Sequence, residues 1–439
     1  MKVNQIKSMI RKYKLSDSHN LLYFLKENWD SLSENDLREI SEIANANRQK
    51  NAAYYTDSFI VNKIIDSLPK INKKEITVLE PSVGTGNFVY PFIEKFAAMY
   101  DHITIILNDI DPVSLKITKF FLSKKKLPDN IALEYTNYDF LSDIVFYDRH
   151  FDYIIGNPPF QRISSKVAAM YKNKITNLAG QFYLKASKIA SIIGMVMPKN
   201  VLSTNDYQQL REYLSNNPIN TIIDFGEKGF KGILIETIAI IIGKHSNGQV
   251  RVISYVDGSN RKMSQSYITD SNFPSWLIYR NCLFDNIAKQ MKFNIFTTSR
   301  DRQITNSMLS DYGEVRVIKS QNISKDGTKI LNIPGYDKYI SKTQLDKLNV
   351  SKIYDDNDVY LVPNMSYYPR MMKKKQKFIV NGSVAMLKLK PGQTINSSQL
   401  AFFSTNDYRQ FYRIARNKGT RSLNIDKLSV FWFGKLVRS

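Results

Sequence analysis

Two hydrophobic periods succeed one another along this chain. Leu21, Leu22, Phe24, Leu25 and Trp29 recur at helical spacing, and the pattern continues from Asp36 to Asn45, so residues 1–50 read as a polar helical segment. From 51 to 244 short β-prone runs take over, at 77–79, 104–107, 132–135, 153–155, 195–197, 221–223 and 237–242. Helical stretches at 88–99, 112–123, 181–193 and 205–216 lie between several of them. Such alternation predicts an α/β domain with a mostly parallel sheet and helices on both faces. The polar His245-Ser246-Asn247-Gly248-Gln249 breaks the pattern and marks a domain boundary. Residues 245–439 alternate less and read as an α+β domain without internal repeats.

Composition narrows the class. With 43% hydrophobic and 23% charged residues, the chain is neither collagen-like nor of low complexity. A single cysteine, Cys282, allows no intramolecular disulfide and argues against a zinc ribbon or iron–sulfur cluster, so no metal is expected. No uncharged apolar run approaches the ~18 residues of a membrane span. The N-terminus lacks the apolar core of a secretion signal, so a cytoplasmic protein is expected. The formal charge is +22, and it is unevenly spread: residues 245–439 hold 31 basic and 14 acidic residues. A basic half joined to a nearly balanced one suggests a polyanion-binding module.

Four loops at predicted strand ends carry the candidate chemistry, because ligands of such sheets bind at the carboxyl ends of the strands. The first is Glu80-Pro81-Ser82-Val83-Gly84-Thr85-Gly86-Asn87-Phe88. Its two close glycines permit a tight turn and close approach of a ligand, and its spacing matches neither G-x-G-x-x-G nor a P-loop. The second is Asn108-Asp109-Ile110-Asp111-Pro112, where Asp109 suits ribose hydroxyls and Asp111 before Pro112 suits a helix cap. In the third, Asp139 beside Phe140 offers an acceptor and a ring face to an adenine. The fourth is Gly156-Asn157-Pro158-Pro159-Phe160, which two prolines stiffen. The Asn157 side-chain oxygen and the Pro158 carbonyl then converge as two acceptors beside the stacking face of Phe160. Each loop alone also reads as an ordinary turn; their order and spacing together make the signal.

These residues resemble the Rossmann-like S-adenosylmethionine-dependent methyltransferases. Among them the order is similar to the γ class of DNA adenine-N6 methyltransferases of restriction-modification systems, in which a target-recognition domain follows the catalytic one. The resemblance covers roughly 50–244. It implies cofactor contacts from Tyr55 and Thr56, from Glu80, Pro81, Ser82, Gly84, Gly86, Asn87 and Phe88, from Asp109 and Ile110, from Asp139 and Phe140, and from Asn157. It implies catalysis by Asn157, Pro158, Pro159 and Phe160, with the target base stacked on Phe160 and Phe230. Phe160 departs from the tyrosine of many relatives, which keeps stacking and removes a hydroxyl. The implied reaction carries a methyl group from S-adenosylmethionine to N6 of an adenine flipped out of duplex DNA. It needs no covalent nucleophile. Cys282 follows asparagine rather than proline and lies outside the domain, against cytosine-C5 chemistry.

Residues 245–439 are then the expected DNA-binding half. Arg370, Lys373, Lys374 and Lys375 form a basic cluster beside aromatics, suited to phosphate contacts. The stretch 407–418 reads as a helix that buries Tyr408, Phe411 and Tyr412 and presents Arg409, Arg413 and Arg416 on another face. Lys418 and Arg421 belong to the loop beyond it. Expected partners are double-stranded DNA and a cognate restriction endonuclease, with the enzyme a monomer or weak dimer on DNA. The alternatives are a cytosine-N4 DNA methyltransferase, an RNA or protein-glutamine methyltransferase and, in a different class, a non-catalytic DNA-binding subunit.

Overall fold

The computed structural model describes residues 1, 3–45, 56–229, 234–243, 247–366, 368–420 and 424–437. The chain forms two compact units, Met1–Tyr267 and Ile268–Ser439.

The first unit opens with three short helices, α1 (Val3–Lys12), α2 (Ser18–Glu27) and α3 (Glu34–Ala44). Asp17 and Ser33 start the second and third by accepting from backbone N–H groups of the first turn. Their apolar faces, including Ile6, Leu21, Leu25, Leu37 and Ile40, pack on Ile117, Phe120 and Phe121 of a later helix, Pro112–Ser123. The predicted helical segment is thus present and buried against the α/β body.

That body is a nine-stranded sheet. Its strands are β1 (Glu75–Glu80), β2 (His102–Asn108), β3 (Ile131–Thr136), β4 (Phe151–Gly156), β5 (Ala190–Pro198), β6 (Ile219–Gly226), β7 (Thr237–Gly243), β8 (Gln249–Ser254) and β9 (Asn260–Ser264), in the spatial order 3-2-1-4-5-7-6-8-9. Strands β7 and β9 run antiparallel to their neighbours and the other pairings are parallel. The connecting helices are α4 (Ser58–Ser67), α5 (Val89–Phe96), α6 (Pro112–Ser123), α7 (Ser165–Met170), α8 (Leu178–Ile189) and α9 (Gln208–Ser215). The central strands β4 and β7 are buried at every position, which is why they read as unbroken apolar runs. One core cluster joins Val78, Ile105, Tyr153 and Ile155 of the sheet to Ile64 of α4 and to Phe92 and Phe96 of α5. The architecture is the Rossmann-like α/β fold expected, with the order reversing between β1 and β4. The boundary differs from the expected 244/245. Residues 249–264 add a hairpin to the sheet, and the unit ends at Tyr267. The polar stretch read as a linker leads into that hairpin.

The second unit is α+β, as expected. An antiparallel four-stranded sheet comprises β11 (Phe296–Ser299), β17 (Val384–Leu389), β14 (Tyr360–Pro363) and β15 (Met372–Lys373), in that order. A three-stranded sheet joins β13 (Lys338–Ile340), β12 (Val315–Ile318) and β16 (Ile379–Val380), and a short pair joins β10 (Met291–Lys292) to β18 (Lys435–Leu436). Val317, Ile340, Leu361, Ile379 and Val384 share one core. The helix Asn406–Ala415 buries Tyr408, Phe411 and Tyr412, and Phe411 stacks on Phe284 with ring centroids 4.7 Å apart. No helix among the described residues is long and apolar enough to cross a membrane.

Candidate functional site

The first loop turns from β1 into α5 through Gly84 and Gly86, at φ +60° and +77°. A Cβ on Gly86 would lie 3.0 Å from Thr118 Cγ2 of α6, so conformation and packing both call for glycine. The backbone of this turn is tied on several sides. Val83 N donates to Asn108 O at 2.9 Å, and Gly86 N to Val83 O at 2.8 Å. Gly84 N donates to Asp109 Oδ2, and Gly84 O accepts from Thr118 Oγ1, both at 2.8 Å. Asp109 also accepts from Asp111 N at 2.9 Å, which locks the second loop to the first. Asp111 caps α6, accepting from Val113 N ahead of Pro112.

The fourth loop leaves β4 at Gly156, whose φ of +144° favours glycine. A Cβ there would meet Glu80 Cγ at 3.4 Å. Asn157 O accepts from Ser82 Oγ at 3.3 Å. Beyond the prolines, Asn177 Nδ2 donates to Phe160 O at 3.0 Å and Leu178 N to Gln161 O at 2.9 Å. Asn177 is also the cap of α8, accepting from Ala179 N. The stiff turn is therefore pinned to the first loop at one end and to the start of α8 at the other.

A cleft of about 860 Å³, counting its open mouth, lies along these loops. Pro81 and Ser82, Asp109 and Ile110, Asp139 and Phe140, and Asn157 and Pro159 line it. At least two residues of each of the four sequence motifs thus line one cleft. Of the remaining predicted residues, Thr56, Gly86 and Asn87 line a second, smaller pocket together with Glu34 and Arg38. Phe88 is buried in the core. Glu80 is buried, Thr56 O accepts from Asn87 Nδ2 at 3.4 Å, and Phe160 rests half-buried on the core. Pro158 is buried and Pro159 partly so. Tyr55, Phe230 and Arg421 lie outside the described residues.

The third loop is held by its own acid. Asp139 accepts from Leu141 N at 2.9 Å and Ser142 Oγ at 2.7 Å. Phe140 packs on Phe182 and Phe146, with centroids 5.0 and 5.5 Å away. Beneath it Lys185 lies 3.7 Å from the Tyr147 ring centre and donates to the Asp143 carbonyl at 3.2 Å. Burial pulls its ammonium down to about 8, against the pull of Asp139 and Asp143. Farther along the same sheet edge, Lys199 contacts Asp224 Oδ2 at 2.8 Å and Glu236 Oε1 at 3.3 Å, with all three side chains at most 5% exposed.

Several cleft residues escaped sequence reading. Leu178 and Phe182, one turn apart on α8, and Tyr171 carry no motif, while Tyr138 and Leu141 flank Asp139 and Phe140 in the third loop with no contact implied for them. Another missed group is Arg38 and Glu42 of α3 with its C-cap Asn45, all buried polar residues.

The basic candidates of the second unit do not form one surface cluster. Lys374 is 1% exposed and donates to Tyr354 O at 2.8 Å, so it is an interior group rather than a phosphate contact. Arg370 spends its guanidinium on the carbonyls of Ser320, Ile323 and Tyr368 and on Ser366 Oγ, joining two loops. Lys373 pairs with Asp358 at 3.1 Å, and this contact raises its pKa. Lys375 and Arg413 are exposed. Arg409 lies 3.8 Å from the centre of the half-exposed Tyr368 ring. Arg416 donates to Asn424 O at 3.2 Å, and Lys418 lies 4.8 Å from the Tyr279 ring.

Known proteins share parts of this chain. Residues 93–230 match the family described as Eco57I restriction-modification methylase. The chain is 28% identical over 110 residues to the type I restriction enzyme MjaIX methylase subunit of Methanocaldococcus jannaschii, a match covering 24% of this chain and only 18% of that subunit. A type I restriction-modification methyltransferase subunit from Streptococcus thermophilus is 17% identical, with 52% of this chain and 54% of that one covered at a TM-score of 0.39. The type IIL restriction-modification enzyme MmeI, solved in complex with DNA, is 11% identical. There the overlap covers 98% of this chain and 67% of that one, at a TM-score of 0.50, a likeness of fold. The family match runs from α5 to the end of the turn after β6 and so contains three of the four cleft loops, including Asn157-Pro158-Pro159-Phe160.

Proposed function

We propose that this chain is a restriction-modification DNA methyltransferase that moves a methyl group from S-adenosylmethionine to N6 of an adenine extruded from duplex DNA. The observation that carries the reading is the Gly156 turn, which starts a proline-stiffened segment with Asn157 on the wall of a cleft shared by the other three loops. The cleft suits an adenosine. Asp109 and Asp139 offer polar edges, while Pro81, Ile110, Leu141 and Phe182 offer apolar faces. S-adenosylmethionine, when bound, supplies an electrophilic sulfonium methyl.

The chain's own part is positioning. An adenine amine is a poor nucleophile because its lone pair is delocalised into the ring. The Asn157 side-chain oxygen and the Pro158 carbonyl accept its two N–H bonds, which favours a nitrogen with its lone pair directed at the donor. Phe160 and Phe230 offset the unstacking cost of flipping, roughly a few kcal/mol. The basic second unit, with 28 basic and 13 acidic residues in 268–439, supplies phosphate contacts and target choice.

The test is nucleoside mass spectrometry of duplex DNA treated with the protein and methyl-labelled S-adenosylmethionine. Label in N6-methyladenine is expected. Asn157→Ala loses turnover while binding donor and DNA. Label in N4-methylcytosine, or in RNA or protein alone, refutes the assignment, as does normal turnover by the variant.

A further inference from the structure

The N-terminal helices show no motif of their own, yet α3 carries an unusual stripe. Arg38 and Glu42 stand at i and i+4 on one helix face, Asn45 is the C-cap just beyond, and the three are 5%, 7% and 6% exposed. Buried charge of this kind is uncommon unless it is paired. Here the partners belong to the cleft loops. Arg38 Nη1 donates to Thr85 O and, at 3.3 Å, to Asn87 Oδ1. Glu42 Oε1 accepts from Thr85 Oγ1 at 2.9 Å. Asn45 Nδ2 donates to Asp111 Oδ2 at 2.6 Å, on the loop that carries Asp109.

The first loop is divided in how it is held. Its front half, Val83 and Gly84, is fixed by β2 and α6 through Asn108, Asp109 and Thr118. Its rear half, Thr85 and Asn87, has its contacts outside the loop with α3 and with the Thr56 carbonyl. Arg38 is itself rigid. Nε and Nη2 donate to Glu34 Oε1 at 3.0 and 2.9 Å, and the guanidinium lies 4.2 Å from the centre of the Phe121 ring. Glu34 in turn accepts from Lys125 Nζ at 2.6 Å. A planar guanidinium held on two sides fixes the direction of the Thr85 carbonyl, and so the plane of the Thr85–Gly86 peptide in the glycine turn.

We propose that α3 is a third support of the methyl-donor site, with Arg38 and Glu42 as positioning residues that set the turn at Thr85 and Gly86 and thereby donor affinity. The inference rests on the methyltransferase reading above. It assigns the N-terminal helices a role that neither composition nor the cleft lining suggests.

The experiment compares donor binding by calorimetry, donor KM and kcat, and thermal unfolding in the full chain. Arg38→Met keeps the stem against Phe121 and removes the donors. It is expected to weaken S-adenosylmethionine binding and raise donor KM at least tenfold, with kcat at saturating donor and DNA affinity within threefold of wild type. Lys125→Met breaks the neighbouring bridge to Glu34 without touching the loop, and is expected to lower the unfolding midpoint while leaving donor affinity unchanged. Glu42→Leu removes the acceptor for Thr85 Oγ1 and is expected to weaken donor binding in the same direction as Arg38→Met. Unchanged donor binding in Arg38→Met overturns the proposal, and so does an equal loss in Lys125→Met, which would make the effect one of general stability. Wild-type protein that binds no S-adenosylmethionine overturns the methyltransferase reading and this inference with it.

Discussion

Replacing Gly156 by alanine tests the turn on which the chemistry depends. The added Cβ would sit 3.4 Å from Glu80 Cγ and 3.8 Å from Pro81 Cδ, both tolerable contacts. The cost therefore lies in the backbone, because a φ of +144° is one that residues with a side chain rarely adopt. Holding such a conformation costs about 1–3 kcal/mol. At roughly 2–4 °C per kcal/mol for a unit of this size, the unfolding midpoint should fall by a few degrees to about ten. If the peptide rotates to escape the strain, the Asn157 amide moves by about an ångström, and misplacement of that size costs on the order of 10²-fold in rate. The assays are calorimetric unfolding and single-turnover methyl transfer at saturating donor and DNA. Donor binding should change much less than turnover, since Asp109 and Asp139 line the cleft from the second and third loops. A variant that unfolds at the wild-type temperature and transfers methyl at the wild-type rate would show that nothing depends on the bend.

Four further outcomes follow from whether a charge is buried or exposed. Lys199→Met removes the cation between Asp224 and Glu236 and should cost about 3–5 kcal/mol in urea unfolding near neutral pH; a loss below 1 kcal/mol would contradict the pairing. Lys185 has its folded pKa near 8 against an ordinary 10.5. Between those values the unfolded chain holds more protons at this group than the folded one, so wild type should gain stability relative to Lys185→Met as the pH rises from 8 to 10; a constant difference across that range would refute the shift. Neutralising Lys375 and Arg413, both exposed, should flatten the salt dependence of DNA binding by one to two charges' worth of slope, roughly 0.9 per contact. Lys374→Met, at an interior position, should instead lower stability and leave that slope unchanged.

Much of the α/β unit was legible because its strands are buried on both faces and so announce themselves as apolar runs. The four loops were legible because glycine and proline constrain the backbone locally, at Gly84, Gly86, Gly156, Pro158 and Pro159. What the sequence withheld depends on distant neighbours. The hairpin of β8 and β9 reads as part of the following domain because an edge strand is polar and breaks the apolar pattern, as Arg261 and Lys262 illustrate. The lysine run read as one surface, yet β15 alternates, so that adjacent side chains turn to opposite faces and Lys374, the next residue, turns inward while Lys375 remains outside. Arg38 and Glu42 read as solvated helix charges because their partners, Thr85 and Asn87, lie more than forty residues downstream.

The two added strands also determine where the chain takes leave of its sheet. In the lateral order, β9 is five places from β4, on the order of 24 Å at the usual spacing between neighbours. The first unit therefore ends beyond its outermost strand, and the chain leaves it from there rather than from a strand beside Asn157.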